Sequence, residues 1–213
     1  MNKSVPSLKY STAVLIIVAI LLVDQISKIY IKTHFLPGLA GQIDVVGSWF
    51  KLHFLENEGM AFGMKISQSY WGKLVLTLFR LVAVVVGFFI LKRLVDKNYG
   101  RGLIICGALI LAGAMGNLID SIFYGMIFSE SSYHIAQFVP WGTGYAPLFH
   151  GKVVDMLYFP LIDGTYPSWI PGLGGKSFEF FEPVFNIADA SISTGVLVLI
   201  FFQKSLMKKV DEV

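Results

Sequence analysis

The 213-residue chain is poor in the groups that most enzymes and nucleic-acid binders rely on. It has one cysteine and four histidines, and only 15% of its residues are charged. A single cysteine excludes an internal disulfide framework and a Cys/His metal box, and Cys106, in the apolar run LIICGALILAG, reads as a small packing residue. His34, His53, His134 and His150 are scattered and HExxH is absent, which argues against a zinc hydrolase. There is no basic stripe with interleaved aromatics, and the net charge is only +3, so nucleic acid is not an expected partner. Internal repeats, low-complexity tracts and the GxGD motif are also missing, the nearest strings being LIDG and GLGG.

What the chain has in excess is apolar sequence. At 55% hydrophobic it exceeds the roughly 45–50% of soluble domains, and it reads as one integral membrane domain. Four windows are long and apolar enough to cross a bilayer: about 9–32, 70–91, 102–124 and 183–202. The first has the basic front of a signal peptide but no small-residue cleavage site, and its helical pattern continues through Asp24, Gln25 and Lys28, so it is expected to be retained. Pro183 suits the first turn of the last helix, where a missing N–H costs nothing.

Lys3 and Lys9, the short loop KRLVDKNYGR and the tail lysines 204, 208 and 209 fall on one side of these spans. The positive-inside rule makes that side cytoplasmic, with both termini in and the two long connections, 33–69 and 125–182, outside. Glu56, Glu58, Glu130, Asp163, Glu179 and Glu182 all belong to the outer segments. IDVVGSWFKLHFLENEGMAFG, β-branched and aromatic with interspersed glycine, predicts short strands and turns. SWIPGLGG and GTGYAPLF are loop-like aromatic segments suited to the headgroup layer.

The spans are not uniformly apolar. At 1.5 Å of rise per residue, Asp24 stands roughly 22 Å above Lys9, Asn117 roughly 24 Å above Arg101 and Asp189 roughly 22 Å above Lys204. Asp120 comes out at roughly 28 Å. Buried ionisable groups cost free energy, so their alignment in one layer of the outer leaflet implies a shared cavity; helix-to-helix hydrogen bonding is the plainer alternative for Asp24 and Asn117. Lys28 is placed at i+4 to pair with Asp24, and Asn117 and Asp120 share a helix face. In the third span Gly107, Gly113 and Gly116 allow close helix approach. Asp155, in HGKVVDMLYF, is an outer acid flanked by Val153, Val154, Met156 and Leu157, which would hold its carboxylate against an apolar surface.

Two carboxylates brought together without metal ligands suit an aspartic dyad, in which one proton is shared, the charged acid activates water and the protonated one polarises a carbonyl. A serine nucleophile at Ser191 or Ser193 would have no His or Lys at useful depth on its helix. A small transporter or lipid-binding protein using its acids for ion coupling is the non-enzyme alternative, although neither repeated halves nor broken helices are evident.

With DQISK in the first span, the strings NEGMAFG, GAMGNLID, VVDM and FNIADASIS occur in the order and on the spans that resemble the lipoprotein signal peptidases, or signal peptidase II. The resemblance covers about residues 20–203. It implies a four-transmembrane-helix bundle, all-α apart from a small β-rich periplasmic cradle at about 33–63, with an outer loop insertion at about 125–182. It further implies Asp155 and Asp189 as the catalytic pair, and Asp24, Lys28, Asn57, Gly59, Asn117, Asp120, Asn186 and Ala188 as substrate-binding or supporting residues. The implied reaction removes the signal peptide of a diacylglyceryl-modified prolipoprotein just before the lipidated cysteine. It takes place at the outer leaflet of the bacterial inner membrane, in a monomer needing no cofactor or metal. Membrane lipids and cyclic peptide antibiotics such as globomycin are the other implied partners.

Two features depart from that pattern. The family carries arginine after the GNxxD acid, whereas Ser121 follows Asp120 here, leaving Asp120 neutral, solvated or paired elsewhere, with Arg80 or Lys73. Lys73 is expected to snorkel or pack, while Arg80 lies too deep to snorkel. The connections on either side of VVDM are also longer than needed and predict an outer subdomain beside the substrate entrance.

Overall fold

A computed structural model of the chain describes residues 7–59, 69–160, 162–180 and 184–207. Four helices are long and apolar enough to cross a membrane: Tyr10–His34, Tyr70–Asp96, Arg101–Ile127 and Ile187–Leu206. They expose large apolar side chains, with Leu15, Phe79, Phe89 and Phe201 each two-thirds or more accessible, as lipid-facing surfaces require. The inward faces of the first three meet around Ala13, Ile17, Val84, Leu91, Ile104, Ala108, Leu111 and Ala112.

The first helix, α1 (Tyr10–His34), ends where Pro37 forbids continuation, and a 3-10 turn at Gly38–Gly41 leads outward. α2 (Tyr70–Asp96) starts on Ser69, whose hydroxyl accepts the Gly72 N–H at 3.0 Å. α3 (Arg101–Ile119) passes through one π-helical turn, Asp120–Tyr124, into the short α4 (Gly125–Ile127). This bulge, not expected from the sequence, inserts an extra residue next to the polar layer, a placement frequent at functional sites.

α5 (Ile187–Leu206) begins later than predicted. Val184–Phe185 form a strand, Asn186 is the N-cap, and Pro183 lies outside the described residues. The cap explains the shift. Asn186 Oδ1 accepts the Asp189 N–H at 2.8 Å and Asp189 Oδ2 accepts the Asn186 N–H at 3.3 Å, a reciprocal box that fixes the helix start.

The sheet at one end of the bundle draws on both long connections, so the cradle extends beyond the predicted 33–63 segment. β1 (Ile43–Val46), β2 (Phe50–Asn57), β3 (Val153–Tyr158) and β6 (Val184–Phe185) lie in the order β1-β2-β3-β6. All its pairings are antiparallel, with Leu55 opposite Asp155 and Leu157 opposite Phe185. A separate hairpin joins β4 (Ile162–Thr165) to β5 (Ser177–Phe180). Ile31, Phe35, Phe54, Tyr124, Phe128, Val154 and Met156 form a second core between sheet and bundle. That core seats β3 over the ends of α1 and α3.

Candidate active site

Each acid is positioned by its own element. Asp155 occupies the middle of β3, between Val154 and Met156, which are 0% and 1% exposed, and is itself only 4% exposed. Val154 and Met156 face the core between sheet and bundle, so the alternation of the strand turns the Asp155 carboxylate to the other face, toward Asn57 and Asn186. Asn57 Nδ2, from the end of β2, donates to Asp155 Oδ2 at 3.1 Å, and Asn186 Nδ2 donates to Oδ1 at 2.7 Å. Burial, and next the negative charge of Asp189, raise the Asp155 pKa from an ordinary 3.8 to about 7, against the lowering effect of the Asn57 and Asn186 hydrogen bonds.

Asp189 lies in the first turn of α5, half-buried, where the helix N-terminus favours negative charge. Its Oδ1 accepts from Asn117 Nδ2 at 2.7 Å. The two acids are joined through Asn186, whose side chain donates to one while its Oδ1 receives the backbone N–H of the other. Asn186 Nδ2 also lies 3.2 Å from Asn117 Oδ1 and from the Val154 carbonyl, so strand, α3 and α5 share one donor.

Beneath this pair is a fully enclosed ionic cluster. Lys28 Nζ lies 2.9 Å from Asp24 Oδ2, 2.8 Å from Asp120 Oδ2 and 2.9 Å from Asn117 Oδ1. Asp24, Lys28 and Asp120 are all 0% exposed. A buried cation between two buried acids requires hydrogen bonds for the remaining lone pairs, and the structure supplies them. Ala188 N–H donates to Asp24 Oδ1 at 2.9 Å, Gln25 Nε2 donates to Asp120 Oδ1 at 2.9 Å, and Val154 N–H donates to Asp120 Oδ2 at 3.3 Å. Asp24 thereby holds the start of α5, and Asp120 holds β3 one residue before Asp155.

The residues singled out in the sequence therefore converge. Asp24, Lys28, Asn57, Asn117, Asp120, Asp155, Asn186, Ala188 and Asp189 form one connected polar network. Gly59 joins through its N–H, which donates to Asn57 Oδ1 at 2.8 Å. The remaining residues of the NEGMAFG string, from 60 onward, lie outside the described residues.

Some expectations need correction. Asp120 is paired with Lys28, not with Arg80 or Lys73. Of the two readings of Lys73, packing holds and snorkelling does not: it is 3% exposed and its Nζ donates to the Glu58 carbonyl at 2.8 Å. Arg80 turns to Ser121 instead, donating from Nη1 to its Oγ at 3.2 Å. Sequence reasoning also passed over Gln25 and Tyr124, whose hydroxyl donates to Gln25 Oε1 at 3.1 Å. The available signal for Gln25 was its place directly after Asp24 in DQISK, within the polar layer.

The sequence of this chain is similar to characterised families along most of its length. The family model described as Signal peptidase (SPase) II matches residues 16–204. A lipoprotein signal peptidase of Porphyromonas gingivalis is 50% identical over 186 residues, which cover 87% of this chain and 79% of the relative. One from Amoebophilus asiaticus is 35% identical over 203 residues, covering 94% of this chain and 79% of that one. A solved bacterial membrane enzyme, 24% identical, superimposes with a TM-score of 0.60 over 93% of this chain and 91% of its own, sharing the fold.

Proposed function

The chain belongs to the signal peptidase II family, and from that membership we propose that Asp155 and Asp189 are the catalytic pair of an aspartic endopeptidase. The protein is a multi-pass membrane hydrolase that removes signal peptides from prolipoproteins. The ion-coupling reading is not favoured by this membership. The observation that supports the catalytic assignment is the Asn186 bridge: its side-chain amide donates to the strand carboxylate of Asp155 and its backbone N–H donates to the helix carboxylate of Asp189.

Asp155, with its raised pKa, holds the shared proton at rest and donates it toward the scissile carbonyl oxygen. Asp189 carries the charge, takes a proton from the attacking water and returns it to the leaving amine. Asn57 and Asn186 keep the Asp155 carboxyl oriented. Asp24, Lys28, Asn117, Asp120 and Ala188 brace α1, α3, β3 and α5 around the pair, and Gly59 shapes the turn that carries Asn57. No step requires a metal or cofactor.

The substrate is a precursor whose cysteine bears diacylglycerol, cleaved just before that cysteine. A lipid-anchored scissile bond lies near the interface, which suits acids placed at the junction of the bundle with the outer sheet. The chain acts as a single peptidase unit and as a monomer, with both termini cytoplasmic, the site at the outer leaflet and the 125–182 insertion beside the substrate entrance. The same cavity binds cyclic peptide antibiotics such as globomycin.

The test is cleavage of a diacylglyceryl-modified precursor by purified protein in detergent. Asp155→Asn and Asp189→Asn each lower turnover by roughly 10³-fold or more, as expected when a dyad member is removed, while both variants elute as folded protein. Globomycin inhibits the wild type and a chelator does not. Cleavage that survives either substitution would remove these acids from the chemistry.

A further inference from the structure

Arg80 is the charged group that the peptidase reading leaves without a role. It lies ten residues inside the outer end of α2, roughly 15 Å along the helix axis, at a depth where a guanidinium is costly unless it is fully used. Among the described residues no carboxylate lies close enough to form a direct ion pair with it. Instead it is within electrostatic reach of Asp189, Asp120 and Asp155 together. Its two terminal nitrogens are spent on neutral acceptors. Nη1 donates to Ser121 Oγ at 3.2 Å, and Nη2 donates to the Gly59 carbonyl.

These contacts lead to the dyad. Ser121 Oγ donates in turn to the Asn117 carbonyl at 2.8 Å, so the guanidinium is anchored on α3 beside the residue that binds Asp189. On its other side it holds Gly59, which has a φ of +93° and whose missing Cβ would come within 2.6 Å of Nη1. The left-handed backbone demands glycine there. Two turns away on α2, toward its N-terminus, Lys73 holds the adjacent Glu58 carbonyl at 2.8 Å. The Glu58–Gly59 turn is thus gripped by two cations from α2, and it ends in the N–H that fixes Asn57 Oδ1, whose amide donates to Asp155.

We propose that Arg80 is a positioning residue of the peptidase site: spanning from Ser121 to the Gly59 carbonyl, it holds the Asn57 turn so that the Asn57 amide stays on the Asp155 carboxylate. The proposal rests on the assignment of Asp155 as catalytic. Its contribution is to turnover, because Asn57 orients the acid rather than anchoring the lipid. The planar fork matters, since bridging two acceptors on opposite sides is a geometry that a lysine ammonium reproduces only in part.

The experiment compares wild type, Arg80→Lys, Arg80→Met and Asp155→Asn as full-length purified proteins on the diacylglyceryl precursor, recording kcat, KM and thermal midpoint. Misplacing a catalytic group by about 1 Å costs on the order of 10²-fold. Arg80→Met is therefore expected to lose about that factor in kcat with KM changed by less than about threefold, and Arg80→Lys to recover part of the loss. A role limited to filling space predicts the reverse order, because methionine suits an apolar helix better than lysine. Met turning over as fast as Lys, or as fast as wild type, would overturn the proposal. Should Arg80→Met fail to fold, Arg80→Gln takes its place with the same expectation. Cleavage persisting in Asp155→Asn would sink the catalytic assignment instead, which separates the two failures.

Discussion

Asp155 shows how one residue couples stability to chemistry. Its folded-state pKa of about 7 lies above the ordinary 3.8, so the folded protein retains a proton that the unfolded chain releases between those values. The sign is opposite to that of a salt-bridged aspartate: the stabilising contribution is complete below about pH 4 and is lost as pH rises toward 7. The full difference is worth at most about 4 kcal/mol. Above pH 7 the wild type must hold a charged carboxylate beside Asp189, whereas an amide at this position carries no charge at any pH. The thermal midpoint of the wild type in detergent should therefore fall between pH 5 and 8 more steeply than that of Asp155→Asn. Parallel curves would show that Asp155 does not change its proton in this window. Catalytic turnover should pass through a maximum with pH, reporting apparent pKa values of the pair as a unit.

Among the elements, the contact of α3 with α5 sets the depth and angle at which Asp189 meets Asn117. Gly113 and Gly116 make it possible. A Cβ on Gly113 would fall 2.2 Å from the Ala188 carbonyl, and one on Gly116 would fall 2.6 Å from Asp24 Oδ2. Both obstacles are fixed, one being backbone and the other a carboxylate locked on Lys28. Gly102, on the same helix, would meet only a methyl of Leu206 at 2.5 Å, a flexible neighbour that can turn aside. Gly113→Ala should lower the thermal midpoint by an amount corresponding to about 1–3 kcal/mol and reduce cleavage strongly, with Gly102→Ala close to wild type in both. Equal behaviour of the two variants would mean that the helices do not need this approach.

The spacing of these glycines was legible in the sequence, as were the four spans and the polar layer. Residues separated by whole helical turns keep their relative depth whatever the bundle does. The start of α5 was not legible, because Val184 and Phe185 are apolar enough to continue a span and are claimed by β3 through pairing with Leu157 and Tyr158. Asp155 could be recognised by its apolar neighbours, yet its position over α5 depends on a strand partner 98 residues away, Asn57. The pairing of Asp120 was ambiguous for a similar reason: Lys28, Lys73 and Arg80 are all deep cations, and only the packing of α1 against α3 decides among them.

At the scale of the whole molecule the two ends of the bundle are built differently. The end that carries the sheet is closed by a buried clasp: Lys32 pairs with Glu56, its Nζ lies 3.2 Å from Ser131 Oγ, and the rings of Phe54, Phe128 and Tyr145 surround it at 5.0–5.9 Å. Lys152, one residue before β3, adds a second cation 3.4 Å from Glu56 Oε2; burial alone would lower its pKa, but Glu56 and Glu130 raise it. This joins α1, β2 and the first part of the insertion into one body. The opposite end is plainer, with Lys92, Arg93 and Lys97 in an exposed stretch and the Lys92–Asp96 pair fully at the surface. The positive-inside rule assigns such a concentration of cations to the cytoplasmic side. The orientation can be read with single cysteines, since native Cys106 is 3% exposed and contributes little background. Ser132→Cys should react with a membrane-impermeant maleimide on intact spheroplasts, and Lys97→Cys only after permeabilisation. The reverse pattern would turn the molecule over and place the acids on the wrong side of the membrane for a precursor that emerges at the outer leaflet.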